Sequence, residues 1–122
     1  MTTSSDALLV QGGTVIDGTG AAATSADVLV EGDTITAVGP GIGQSLPAGT
    51  EPTVIDAAGM TVMPGLIDAH CHLTFDEPAS NDELFFHRDH TLAALATAQH
   101  LPKLLMAGIT SACDPDTIFR MG

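Results

Sequence analysis

The chain has 122 residues and a formal net charge of −12, with Arg88, Lys103 and Arg120 as its only basic side chains besides histidine. Such a balance excludes the basic surface that nucleic acid or an anionic membrane requires. Its 44% hydrophobic content is enough to bury a core if partner strands are supplied, no apolar run approaches the roughly 20 residues of a transmembrane helix, and Met1-Thr2-Thr3-Ser4-Ser5-Asp6 lacks the basic region of a secretory signal.

From the amino terminus, residues 7 to 11 and 14 to 16 flank Gly12-Gly13, and residues 27 to 31 and 34 to 38 flank Gly32-Asp33. Both arrangements predict β-hairpins, because glycine supplies the positive φ that tight hairpin turns demand. Glycines and prolines from Gly39 to Pro52 predict a surface loop. Its Gly39-Pro40-Gly41-Ile42-Gly43 lacks the lysine and following helix of a phosphate loop. Punctuated strands in the first half give way to a strand, a helical stretch and a strand in the second. This change predicts a domain boundary near Gly59, with one domain over 1–60 and another over 61–122.

Met63-Pro64-Gly65-Leu66-Ile67-Asp68-Ala69-His70-Cys71-His72-Leu73 reads as an apolar strand ending in two histidines. On a strand, Leu66, Asp68, His70 and His72 share one face, and Ile67, Ala69, Cys71 and Leu73 share the other. Both imidazoles then reach one ion, with Asp68 as a supporting carboxylate and Cys71 facing away. Neutral imidazole suits zinc, iron, cobalt, nickel or copper. From about Asp82 the leucines and alanines predict a helix ending at Gly108, with Lys103 complementing its dipole. Pro102 lacks an amide proton and clashes with the carbonyl of Ala98, which predicts a kink or a division there. His87, His90 and His100 read as solvated loop and helix residues rather than a second metal pair. Cys71 and Cys113 fall on predicted neighbouring strands and are expected reduced and structural, as in a cytoplasmic protein.

The stretch from Val54-Ile55-Asp56-Ala57-Ala58-Gly59-Met60 through Pro64-Gly65-Leu66-Ile67-Asp68-Ala69-His70-Cys71-His72 resembles the opening of the amidohydrolase superfamily. It is most similar to the imidazolonepropionase-like and prolidase-like metal-dependent hydrolases. Upstream, residues 8–20 and 27–39 resemble that family's amino-terminal β-sandwich strands, and residues 104–114 resemble the end of the first barrel helix and the second strand. The resemblance implies a parent of α/β class, a (β/α)8 TIM barrel plus a small β-sandwich. Such a barrel needs about 200 residues or more, so the chain is expected to cover half of the sandwich and the first β-α-β of the barrel.

The resemblance also implies a hydrolase acting on carbon–nitrogen bonds through a metal-activated water, with an amide, cyclic amide, dipeptide or carbamate- or urea-type small molecule as substrate. His70 and His72 are the implied metal ligands. Asp68 and Asp114 are candidates for supporting or lining the site, and no catalytic base is assignable. The implied cofactor is a divalent ion, zinc first, with cobalt, iron, manganese or nickel as alternatives, one or two per complete site. The implied partners are the missing barrel strands, in the same or a second chain, and further copies in a homo-oligomer. Alone, the chain is expected to be inactive, with exposed strand edges at 61–73 and 109–114 prone to aggregation. The competing reading is a non-catalytic β-rich module that retains a weak metal-binding motif.

Overall fold

The structure, a computed structural model, describes residues 7–75 and 78–115. The chain divides into two compact units, Met1–Pro64 and Gly65–Gly122. The first is a mixed sheet built on its longest strand, β1 (Ala7–Val15). β2 (Thr24–Glu31) pairs antiparallel with β1, and β3 (Thr34–Gly39) pairs antiparallel with β2. The chain then crosses to the other side of β1, where β4 (Thr53–Asp56) and β5 (Thr61–Val62) run parallel to it. Val15, Ala26 and Val28 form a buried cluster, joined by Val10, Val30 and Val62.

One of the two expected hairpins is present. Glu31 pairs with Thr34 across a two-residue Gly32-Asp33 turn, with Gly32 at φ 62°. The other is corrected: Gly12-Gly13 does not turn the chain, and β1 continues through both residues. Val10 pairs with Val28 and Gly13 with Ala26, so β1 carries one extra residue against β2. Glycine inside a strand pattern marks such a bulge as readily as a turn. The bulge frees the Gly12 amide from the ladder, and buried Asp27 accepts it at 2.9 Å through Oδ1. Asp27 Oδ2 accepts the Gly43 amide at 3.3 Å, tying the loop after β3 to the sheet. That loop is as expected apart from a short 3-10 turn, Ile42–Gln44.

The second unit contains β6 (Leu66–Asp68), a π-helical turn (Glu83–His87), helix α1 (His90–Met106) and β7 (Ile109–Ala112). β6 and β7 pair in parallel with the helix as their crossover, a β-α-β unit. The expected strand through Leu73 is corrected, because β6 ends at Asp68 and the ladder register is irregular between Leu66 and Ile67. The expected helix from Asp82 is also shortened. Arg88 is extended at φ −91° and ψ 120°, and α1 begins after Asp89, whose side chain accepts the Leu92 amide at 2.8 Å. This is an N-cap, and the carboxylate also suits the helix dipole. Pro102 does not divide α1, which runs from His90 to Met106. Gly108 takes φ 85° between helix and strand, as its sequence position requires.

Gly65 leads into β6 beside Thr110 of β7, and a Cβ built there collides with the Thr110 side chain, 2.7 Å from its Cβ and nearer its methyl and hydroxyl. Gly65→Ala is expected to destabilise the second unit by about 1–3 kcal/mol through overpacking. Amide exchange should then quicken in β6 and β7 while β1 and β2 keep their protection; unchanged exchange in β7 would contradict this packing.

Candidate metal centre

Parallel pairing sends the residues after β6 and those after β7 out of the same edge of the two-stranded sheet. Backbone bonds hold the two exits together: the Cys113 amide donates to the Asp68 carbonyl at 2.8 Å, and the Cys71 amide donates to the Cys113 carbonyl at 2.9 Å. His70, Cys71, His72 and Asp114 therefore lie at one place although some forty residues separate the histidines from the aspartate.

The two imidazoles meet at Nε2, with 3.3 Å between His70 Nε2 and His72 Nε2 and the rings edge to face at 86°. Nitrogens about 2.0–2.1 Å from a tetrahedral ion lie roughly 3.3–3.4 Å apart. The separation thus fits two ligands of one ion, and it equally suits a hydrogen bond between the rings. Sequence alternation anticipated a shared side for these histidines, but the chain achieves it by bending after Asp68 rather than by continuing as a strand.

The carboxylates are arranged around the backbone. Asp68 Oδ1 accepts the His70 amide at 3.1 Å, and Asp114 Oδ2 accepts the Leu73 amide at 3.2 Å. Asp114 Oδ1 lies 3.9 Å from His72 Nδ1, and it is a buried oxygen with no hydrogen-bond partner among the described residues. That oxygen faces the ring edge opposite the one that meets His70. Burial first, then the nearby carboxylates of Asp68 and Asp114, push the Cys71 thiol up from its ordinary pKa. Cys71 is thereby a poorer source of thiolate than an exposed cysteine.

Aromatic packing completes the surroundings. The Phe75 ring stacks on His72 with centroids 4.4 Å apart, and Phe85 meets Phe75 edge-on. Of the other histidines, His87 is exposed and bonds Asp82 at 3.0 Å. Among the described residues no group of three His, Cys, Asp or Glu side chains surrounds a position for a metal. Among the described residues the two imidazoles converge without a third such side chain completing the group. Sequence reasoning missed the part played by Arg88, whose buried guanidinium bonds the backbone of Thr74 and Phe75. A lone arginine beside two phenylalanines and a histidine gave no spacing from which to find it.

The amidohydrolase family model matches residues 61–117, which include this whole constellation. A dihydroorotase of Geobacter metallireducens is 47% identical over 66 residues, 54% of this chain and 15% of that protein. A prolidase solved with N-methylphosphonate-L-proline superposes with a TM-score of 0.72 at 29% identity, covering 88% of this chain and 25% of that one. Over residues 61–117 this chain resembles the amidohydrolase superfamily. An adenine deaminase of Rubrobacter xylanophilus is 44% identical over 63 residues, 47% of this chain and 10% of the deaminase. The chain spans a quarter or less of these relatives. No helix among its described residues is long and apolar enough to cross a membrane.

Asp114→Ala removes the acceptor for the Leu73 amide. The change should cost about 1–2 kcal/mol locally and quicken exchange of that amide roughly 5–30-fold. An unaltered Leu73 exchange rate would show that the carboxylate does not hold this loop.

Proposed function

We propose that the whole protein is a metal-dependent hydrolase of carbon–nitrogen bonds in which His70 and His72 bind a divalent ion. The observation that carries this reading is the meeting of the two Nε2 atoms at 3.3 Å, at the carboxyl ends of paired parallel strands inside the family-matched segment. Open α/β sheets and barrels place their sites at such strand ends. The chemistry that a divalent ion supplies there is polarisation of a carbonyl and acidification of water. His70 and His72 contribute the ligand nitrogens, Asp68 fixes the turn at His70, and Asp114 fixes the segment after His72 while presenting an oxygen to the outer edge of its ring. Zinc is the ion favoured by imidazole donors, with cobalt, iron, manganese and nickel compatible.

The β-α-β unit is assigned as the start of a (β/α)8 barrel, and the mixed sheet as part of a β-sandwich; the expected domains 1–60 and 61–122 are kept in order, with the boundary moved past β5, which pairs with β1. Exposed apolar side chains support the assignment: Ile67 is 74% exposed on β6, and Leu95, Leu105 and Met106 are 64%, 63% and 87% exposed on α1. Exposed apolar side chains of this size on both a strand and a helix suit burial by further strands and helices of a barrel, which cover both faces. The substrate class is small molecules with an amide, cyclic amide, dipeptide or carbamate- or urea-type bond. Relatives named dihydroorotase, adenine deaminase and prolidase support that class without selecting within it. The free cysteines fit the cytoplasm, and the complete enzyme is assigned as a homo-oligomer. The competing reading is a non-catalytic module that binds metal weakly through the two imidazoles.

Metal analysis of the purified whole protein is expected to find one or two divalent ions per site, with hydrolysis lost on chelation and restored by zinc or cobalt. His70→Ala and His72→Ala should each weaken metal retention by more than roughly 100-fold, since even outer hydrogen-bond partners of ligands are worth 10–100-fold. Full metal content in both variants would overturn the ligand assignment. Metal binding without turnover on amides, dipeptides or carbamates would favour the non-catalytic module.

A further inference from the structure

Arg88 is one of three basic side chains besides histidine in the chain, and it is buried. A buried guanidinium must recover its lost hydration through hydrogen bonds, or it opposes folding. Here Nη1 donates to the carbonyls of Thr74 at 2.9 Å and Phe75 at 2.7 Å, and Nη2 reaches Glu83 Oε1 at 3.4 Å. Nε, also buried, has no hydrogen-bond partner among the described residues. Glu83 is itself held, because its Oε2 accepts the Ala79 amide at 2.8 Å and its own amide donates to Ser80 Oγ at 3.1 Å. The guanidinium thus ties the π-helical turn to two consecutive carbonyls of the segment that follows His72.

Those carbonyls are what give the contact a consequence at the site. Thr74 is fully buried, and Phe75 carries the ring that lies 11° from parallel against the His72 imidazole. The stacked His72 ring presents Nε2 to His70 at 3.3 Å, and a turn about its Cβ–Cγ bond would carry Nε2 away from the meeting point. Fixing the Phe75 backbone fixes the stacking platform, and the platform fixes the imidazole. A lysine at 88 carries the same charge but is a point donor without the planar fork that spans two carbonyls and a carboxylate.

We propose that Arg88 is a positioning residue for His72, acting through Phe75: the buried guanidinium locks the loop whose phenyl ring sets the orientation of the ligand imidazole. The inference rests on the reading of His72 as a metal ligand, and its principal readout is made without metal. In the whole protein, metal-free and labelled at histidine and phenylalanine, His72 ring protons should show a nuclear Overhauser contact with Phe75 and the upfield displacement of a stacked ring. Arg88→Lys is expected to abolish both while the amides of α1 and β7 keep their dispersion. The same variant should bind Co2+ roughly tenfold more weakly, as for other groups that orient ligands. Phe75→Leu should weaken Co2+ to a similar extent, and the double variant Arg88→Lys/Phe75→Leu no further, because both changes break one chain of contacts.

Unmoved His72 resonances in folded Arg88→Lys would overturn the proposal, as would additive losses in the double variant. Should Arg88→Lys fail to fold, the unmodified protein still decides: slowly exchanging, resolved Nη protons on Arg88 are expected, and averaged signals of a freely rotating guanidinium would overturn it. Failure of the unmodified protein to bind Co2+ would overturn the ligand reading instead, leaving the metal-free ring measurement to decide Arg88.

Discussion

The candidate site depends on the parallel pairing of β6 with β7. A parallel pair needs a crossover, and α1 supplies it between Asp89 and Gly108. Because both strands point the same way, their exits share an edge, and the Asp68–Cys113–Cys71 backbone bonds hold those exits side by side. Residues distant in sequence become neighbours without any direct bond between their side chains being required. An antiparallel arrangement would have sent Asp114 to the opposite edge from His72.

On that framework three described residues approach the imidazole of His72 from different directions. His70 meets its Nε2, Asp114 lies off its Nδ1, and Phe75 covers a face. Two of these contacts are anchored at backbone level, since Asp114 also accepts the Leu73 amide and Arg88 grips the Thr74 and Phe75 carbonyls. Past the Cys71 amide, which bonds the Cys113 carbonyl, side-chain bonds to Leu73, Thr74 and Phe75 hold the segment after β6. Asp27 does the same in the first unit, accepting the amide that the β1 bulge releases. Charged side chains in this protein are used inside the fold to hold irregular backbone.

The histidine pair, the strand before it, the Gly32-Asp33 hairpin and the Gly108 helix end were legible in the sequence. Each rests on local chemistry: side-chain alternation, a turn that needs positive φ, a helix that must stop before a strand. The Gly12-Gly13 turn was misread because glycine serves a bulge and a hairpin alike, and the choice lies with Asp27 and the partner strand. The helix start was placed too early because Leu84 and the run of leucines and alanines from Leu92 read as one pattern, whereas Arg88 between them is extended.

The sequence by itself determined the acidic balance, the histidine pair and the family resemblance, because these depend on residue identity and order. Only the tertiary structure decided that the imidazoles converge at 3.3 Å, that Asp114 joins them, and that Arg88 stands behind Phe75. The physical reason is separation along the chain. Contacts between His72 and Asp114, or between Arg88 and the Thr74 carbonyl, exist only after strand pairing and burial have closed the intervening loops, and no local propensity encodes them.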